Sequence, residues 1–343
     1  MRETDLRAVS VTKTLMMLLV VLGHACIVFA ASAWGGVTPL RQSLPIAYFA
    51  RFLELTHTQT FFVCSGFFFA LRRYEKGKYR TMGYDLKHRA KRLLVPYAVI
   101  SVFWAAPADY FAKGLAPAQL AKNYLLGFDP AQLWFLLTLF LLYILFYFTS
   151  DRVLKLPVWL GILGFLAVRY LGVLLTELRL PLRVLRFDAF LRSALYFYLG
   201  LLLQQRRLCI PRARWLPLLL ALCAGSFALY AVKCIDSECN AYLKETLMLF
   251  VNLSGVFAYL CIGTLLKNLY EKPFFAALSA AGMGIYLLHQ QILYATMRLT
   301  NFAWIAPLAF VIVNFCAAAA IAWGLTWLLK RTAIGRAALG EAK

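Results

Sequence analysis

Two residues near the start of the chain have types and a spacing that could do chemistry together. Lys13 and His24 lie in VTKTLMMLLVVLGHACIVFAASAW, an apolar run long enough to cross a bilayer. Ionisable side chains are costly in a membrane helix, so each is read first as functional. Eleven steps at about 100° each return His24 to within roughly 20° of Lys13, about 16 Å further along a helix axis. One helix face would then carry a cation at the membrane edge and an imidazole near the bilayer middle. An imidazole can take a proton from a hydroxyl near neutral pH, which makes His24 the candidate general base.

A second group lies in RFLELTHTQTFFVCSGFFFALRR. Arg51, Glu54 and His57 are spaced by three, so one helix face can hold all of them. One reading is a buried Arg51–Glu54 pair whose carboxylate orients His57. The other is an interfacial ion pair that anchors the helix end. Ser65, followed by Gly66, is a candidate hydroxyl donor. Further on, KHRAKRLLVPY places Arg89 and Arg92 three apart, a spacing that suits a bidentate grip on phosphates. Phospholipid headgroups are an adequate alternative partner for that loop. His289, in LSAAGMGIYLLHQQILYATM, neighbours Gln290 and Gln291 and follows the small residues Ala280, Ala281, Gly282 and Gly284. It is either a hydrogen-bonding core residue or a support for the site. His88 reads as solvated, and Trp134 in AQLWFLLTLF as an interfacial belt residue. No glycine-rich phosphate loop, His-Glu-x-x-His pair or serine-hydrolase elbow occurs.

The elements that must position these side chains are membrane helices. Of 343 residues, 62% are hydrophobic and only 15% charged, against about a quarter charged in soluble domains. The apolar stretches have helix length rather than the alternation over about ten residues that barrel strands show. The expected fold is therefore all-α: a polytopic bundle of about ten transmembrane helices forming one domain over residues 1–343. The spans fall near 11–31, 46–71, 93–111, 131–149, 155–173, 187–204, 215–233, 246–267, 274–297 and 304–329. The first is read as an uncleaved helix, being longer than a signal-peptide core.

Loop charge sets the expected orientation. Arg72, Arg73, Lys76, Lys78, Arg80, Lys87, Arg89, Lys91 and Arg92 follow the second span. Arg206, Arg207, Arg212 and Arg214 follow the sixth, and Lys330, Arg331, Arg336 and Lys343 follow the last. With ten spans all lie on the side of the N-terminus, so both termini are expected in the cytoplasm. Arg169, Arg179, Arg183 and Arg186 break the pattern, marking either an outer surface for acidic ligands or a misplaced helix. The net charge of +21 thus reads as membrane topology, and nucleic acid is not an expected partner. The eight cysteines show no zinc spacing, and no metal is expected. Cys234 and Cys239 share one outer loop, where a disulfide is compatible with an oxidising compartment.

Together the motifs resemble the acyltransferase 3 family of integral-membrane acyltransferases. They are a basic residue and a histidine separated by ten residues (Lys13, His24), HTQTFFVCSGF from His57 to Phe67, RAKRLLVPY, LWFL at Leu133 to Leu136, and LSAAGMGIYLLH ending at His289. RSALYFYLG, from Arg192 to Gly200, is a fainter match. Lys13 with LVVLGH looks like the fucose 4-O-acetylase-like branch of sugar acetyltransferases. Thr58-Gln59 stands where that branch has Met-Pro. The resemblance implies transfer of an acyl group, usually acetyl, from cytosolic acyl-CoA to a hydroxyl of a cell-surface or lipid-linked glycan. No cofactor is expected to stay bound; acetyl-CoA or another acyl-CoA is the donor substrate.

Arg89, Arg92 and Lys13 would hold the donor's phosphates at the cytoplasmic rim, and the pantetheine arm would reach His24 along the first helix. His57 and Glu54 would be polar groups near the acceptor, with Ser65, Trp134, Arg192 and His289 as supporting residues. The expected location is a cell membrane, plasma or bacterial inner. A proton-coupled transporter or flippase for a polar substrate is the alternative reading, since intramembrane His, Arg and Glu also suit proton relays. A non-catalytic scaffold is the third.

Overall fold

Apolar runs without water partners must satisfy their backbone groups internally, and the chain does so as helices throughout its length. The structure is a computed structural model and describes residues 3–31, 33–77 and 81–341. Lys78, Arg80 and Lys343, which entered the charge argument, lie outside the described residues. The helices are α1 (Glu3–Cys26), α2 (Leu44–Ala70), α3 (Met82–Ile100), α4 (Ala106–Lys113), α5 (Pro117–Leu125), α6 (Trp134–Val153) and α7 (Val158–Glu177). They continue as α8 (Phe187–Gln204), α9 (Leu216–Tyr230), α10 (Ala241–Leu265), α11 (Pro273–Thr300), α12 (Pro307–Leu329) and α13 (Ala333–Ala338). A helix coincides with every apolar stretch named above.

Among the described residues, seven helical segments are long and apolar enough to cross a membrane: Glu3–Phe29, Gly83–Lys113, Ala131–Val153, Val158–Glu177, Ala213–Ile235, Ala241–Leu265 and Pro307–Leu329. Helices α2, α8 and α11 fall outside that set although they run to 27, 18 and 28 residues. They carry His57, Arg192 and His289 with other polar residues, which lower their hydropathy. Arg169 lies inside α7, which runs on to Glu177, and α8 begins at Phe187. The arginine-rich junction is thus a real loop between two helices. In the loop the sequence singled out, Cys234 and Cys239 are joined as a disulfide, with Cα atoms 5.2 Å apart.

The chain forms two compact units interleaved in sequence. The first draws on Met1–Met16, Leu55–Lys87 and Thr138–Phe275. Its core is aromatic: the Phe146 and Phe197 rings stack with centroids 4.7 Å apart, and Phe165 meets Tyr198 at 4.8 Å. Helices α2 and α8 cross there backbone to backbone. A Cβ added at Gly66 would lie 2.0 Å from the Phe197 carbonyl oxygen, and one at Gly200 would lie 2.1 Å from that of Val63. Small residues at such a crossing let two helices approach closely. The glycines of VCSGF and FYLG therefore hold the fold at that crossing.

The first unit also buries an ion cluster. Glu245 on α10 receives Arg169 Nη2 at 2.7 Å and Arg192 Nε at 3.4 Å. Arg169 Nη1 further donates to the Arg192 carbonyl and the Tyr196 hydroxyl, both at 3.1 Å. Asn252 donates to that same hydroxyl at 2.9 Å.

The second unit draws on Met17–Glu54, His88–Leu137 and Ala276–Lys343. Here α11 and α12 pack through Gly284 and Thr326, where an added Cβ would meet the threonine hydroxyl at 2.3 Å. Asn314 ties α12 to the end of α11 through the Thr300 hydroxyl at 2.8 Å.

Candidate active site

In the second unit His24, in the last turn of α1, reaches His289 on α11. The His24 Nδ1 to His289 Nε2 distance is 2.8 Å. His289 is fully buried and His24 half-buried. The other ring nitrogen of His289, Nδ1, lies 2.8 Å from the Tyr286 carbonyl oxygen and 3.1 Å from that of Ile285.

Neighbouring polar groups fix the turn of α11 that carries His289. Gln132 and Gln291 exchange side-chain amide hydrogen bonds, at 2.8 Å and 3.1 Å. Gln132 Nε2 also donates to the Leu287 carbonyl at 2.8 Å, and Trp104 Nε1 to that of Leu288 at 3.3 Å. The Tyr286 hydroxyl closes the set on the Gln132 carbonyl. Buried amides satisfied in this way hold a side chain in one orientation.

The segment after α1 places an aromatic wall beside His24. The Trp34 ring centroid is 5.5 Å from that of His24, and Tyr294 meets Trp34 edge-on at 4.9 Å. A tight turn makes this geometry, with Trp34 and Val37 paired through their backbones and Gly35 and Gly36 at φ +61° and +73°. That backbone region suits glycine. A side chain at Gly35 would also strike Tyr294, since its Cβ would lie 2.0 Å from the ring. Arg298 clamps the turn by donating to the carbonyls of Gly35 at 3.2 Å and Ala112 at 2.6 Å. Asn301 bonds Thr38 and Leu40 in the same loop. Beyond Tyr294, Lys113 sits 5.3 Å from its ring centroid and pairs with buried Asp109 at 2.9 Å. Tyr124 donates to the second oxygen of that carboxylate at 2.8 Å.

Of the residues singled out in the sequence, the structure joins His24 and His289 directly. Arg89 and Arg92 share α3 in the same unit, the first buried and the second exposed. Arg51 and Glu54 form their ion pair at 3.2 Å, but both are more than a third exposed, and Arg51 also donates to the Ala30 carbonyl at 2.9 Å. Lys13 is exposed on α1 in the first unit, 5.7 Å from the Phe68 ring centroid. His57 is buried in α2 of the first unit, and Ser65 is half-buried next to the packing glycine Gly66. Trp134 opens α6, its ring 6.3 Å from that of Phe135. Arg192 belongs to the Glu245 ion cluster.

Trp34, Gln132 and Tyr294 were not anticipated from sequence. A Trp-Gly-Gly turn closing the first apolar run was the available signal for Trp34. Gln132 gave none, because its partners lie more than 150 residues away.

The sequence model of the acyltransferase 3 family, described as an acyltransferase domain, matches residues 6–327. The chain therefore belongs to the acyltransferase 3 family, and it is a multi-pass membrane acyltransferase. No curated protein and no solved structure gives a match.

Proposed function

We propose that the protein is a membrane O-acyltransferase that moves an acetyl group from cytosolic acetyl-CoA to a hydroxyl of a cell-surface or lipid-linked glycan. The observation that carries this reading is His24: a partly accessible imidazole at the end of α1, hydrogen-bonded to His289 and walled by Trp34. His24 acts as general base. It removes the proton from the acceptor hydroxyl as that oxygen attacks the thioester carbon, and the CoA thiol departs. Trp34 and Tyr294 offer an apolar wall with polar edges, a surface suited to a sugar ring.

The donor enters from the cytoplasmic side of a plasma or bacterial inner membrane. The reading keeps the ten-span topology with both termini in the cytoplasm. Arg89 and Arg92 grip the donor's phosphates, with Lys13 on the same continuous helix as His24. The extended pantetheine arm covers the helical rise from Lys13 to His24, about 16 Å. Belonging to the acyltransferase 3 family supports the transfer chemistry, and the basic run at α3 supports a polyanionic donor.

The direct test is incubation of the purified protein with labelled acetyl-CoA and a glycan extract. Label is expected in the glycan fraction. A folded, CoA-binding protein that transfers none contradicts the acetyl-donor reading. Movement of a polar solute into vesicles without CoA would point to a transporter instead.

A further inference from the structure

We infer that His289 is the positioning partner of His24. It dictates which nitrogen of His24 carries the hydrogen, and it shares the charge that His24 acquires in transfer. This rests on the reading of His24 as the base and specifies how that base works.

The assignment follows from the acceptors at one end of the chain of contacts. His289 Nδ1 faces the Tyr286 and Ile285 carbonyl oxygens at 2.8 Å and 3.1 Å. Carbonyl oxygens only accept, so this nitrogen carries a hydrogen. A neutral imidazole carries one, which leaves a lone pair on His289 Nε2. That lone pair lies 2.8 Å from His24 Nδ1, so His24 Nδ1 must be the donor. The lone pair of a neutral His24 is then on Nε2, and Nε2 is the basic atom. The opposite assignment puts a lone pair of His289 against two carbonyl oxygens. A doubly protonated His289 would be a fully buried cation facing two carbonyls and a second imidazole, a set of groups that contains no anion.

The ring geometry agrees. The centroids are 5.0 Å apart and the planes differ by 18°. Adding two ring radii of about 1.1 Å each, from ordinary C–N bond lengths, to the 2.8 Å contact gives about 5 Å. The rings therefore meet edge to edge, nearly coplanar, with the Nδ1–H directed along the lone pair, and not face to face. The Gln132–Gln291 pair and Trp104 hold the α11 turn that presents His289.

The proton accounting closes within the reaction. The acceptor O–H gives its proton to His24 Nε2 while the new O–C(acyl) bond forms. The imidazolium's Nδ1–H strengthens its bond to His289 Nε2, which spreads the charge over two rings. As the C–S bond breaks, His24 Nε2 returns the proton to the CoA sulfur. His289 takes part without being consumed and without touching substrate. A second group that orients the base is a recurrent arrangement in acyl transfer.

Three substitutions test this. In His289→Gln the amide oxygen can occupy the place of Nε2 and accept from His24. In His289→Asn the amide reaches only the place of Nδ1, and His289→Leu offers no acceptor. Transfer by the Gln variant is expected to stay within about tenfold of wild type, while the Asn and Leu variants lose on the order of 10²-fold in kcat. The KM for acetyl-CoA is expected to hold within about twofold, because the donor's phosphates are gripped elsewhere. A Leu variant with wild-type kcat, equal loss in folded Gln and Leu variants, or a KM change with kcat intact would each overturn the inference. His24→Ala separates the two levels. If it still transfers, the base reading fails; if it is dead while His289→Leu is not, only the role of His289 fails. Nitrogen-15 NMR of the histidine-labelled wild type in bilayers decides independently of any variant's folding. The hydrogen is expected on His24 Nδ1 and coupled to His289 Nε2, and finding it on His289 Nε2 contradicts the assignment.

Discussion

Glu245 in the first unit lies between two guanidiniums, Arg169 at 2.7 Å and Arg192 at 3.4 Å, whereas His24 in the second meets another imidazole, His289, at 2.8 Å. Both clusters place polar groups in a chain that is mostly apolar. The first compensates charge with charge. Its carboxylate lies against two cations, and guanidiniums do not give up protons near neutral pH. The second is built of two imidazoles, side chains that can carry or give up a proton, and its contacts determine which ring nitrogen holds the hydrogen. Burial and polarity alone therefore do not mark a catalytic site. What separates the two is whether the network has a member able to gain and lose a proton.

That comparison can be broken by experiment. Removing one partner from the ion cluster leaves an uncompensated buried charge, so Glu245→Ala is expected to cost about 3–5 kcal/mol, read from thermal or denaturant unfolding in detergent. Replacing Arg169 and Glu245 together by Met is expected to recover most of that stability and to leave acyl transfer near wild type. Loss of transfer in that folded double variant would place the ion cluster in the chemistry and erase the contrast. A smaller effect is expected at the α2–α8 crossing. Gly66→Ala forces a Cβ onto the Phe197 carbonyl and should destabilise by about 1–3 kcal/mol. Weaker still is Arg51→Ala, which removes an ion pair more than a third exposed on both sides. It is expected to change stability by at most about 1 kcal/mol, less at high salt, and a larger loss would show that the pair is desolvated in the bilayer.

Much of the architecture is legible in the sequence because membrane helices are long and apolar. Each apolar stretch is a helix, and Cys234 and Cys239 pair within the loop they share. Of the four arginines grouped at the α7–α8 junction, Arg179, Arg183 and Arg186 lie between the helices, but Arg169 is not a loop residue. It lies in α7 and pairs with Glu245, 76 positions on, which no local pattern encodes. The same limit applies at the candidate site. His24 and His289 each stand out as polar residues in apolar helices, yet their contact joins residues 265 apart and depends on how α1 and α11 pack. The spacing of Arg51, Glu54 and His57 puts Arg51 against Glu54, but spacing carries no information on exposure, and both side chains of the pair are more than a third exposed. Trp34 reaches His24 through a glycine turn clamped by Arg298 and Asn301, a loop geometry without a periodic signature.

The central claim is that the imidazole of His24 takes the acceptor's proton. The most direct measurement is the acceptor-dependent rate of CoA thiol release by His24→Ala beside wild type, with acetyl-CoA binding measured on both proteins. The account predicts a fall on the order of 10²–10⁴-fold in that rate with donor binding retained. Acceptor-dependent release at the wild-type rate in the folded variant would contradict it.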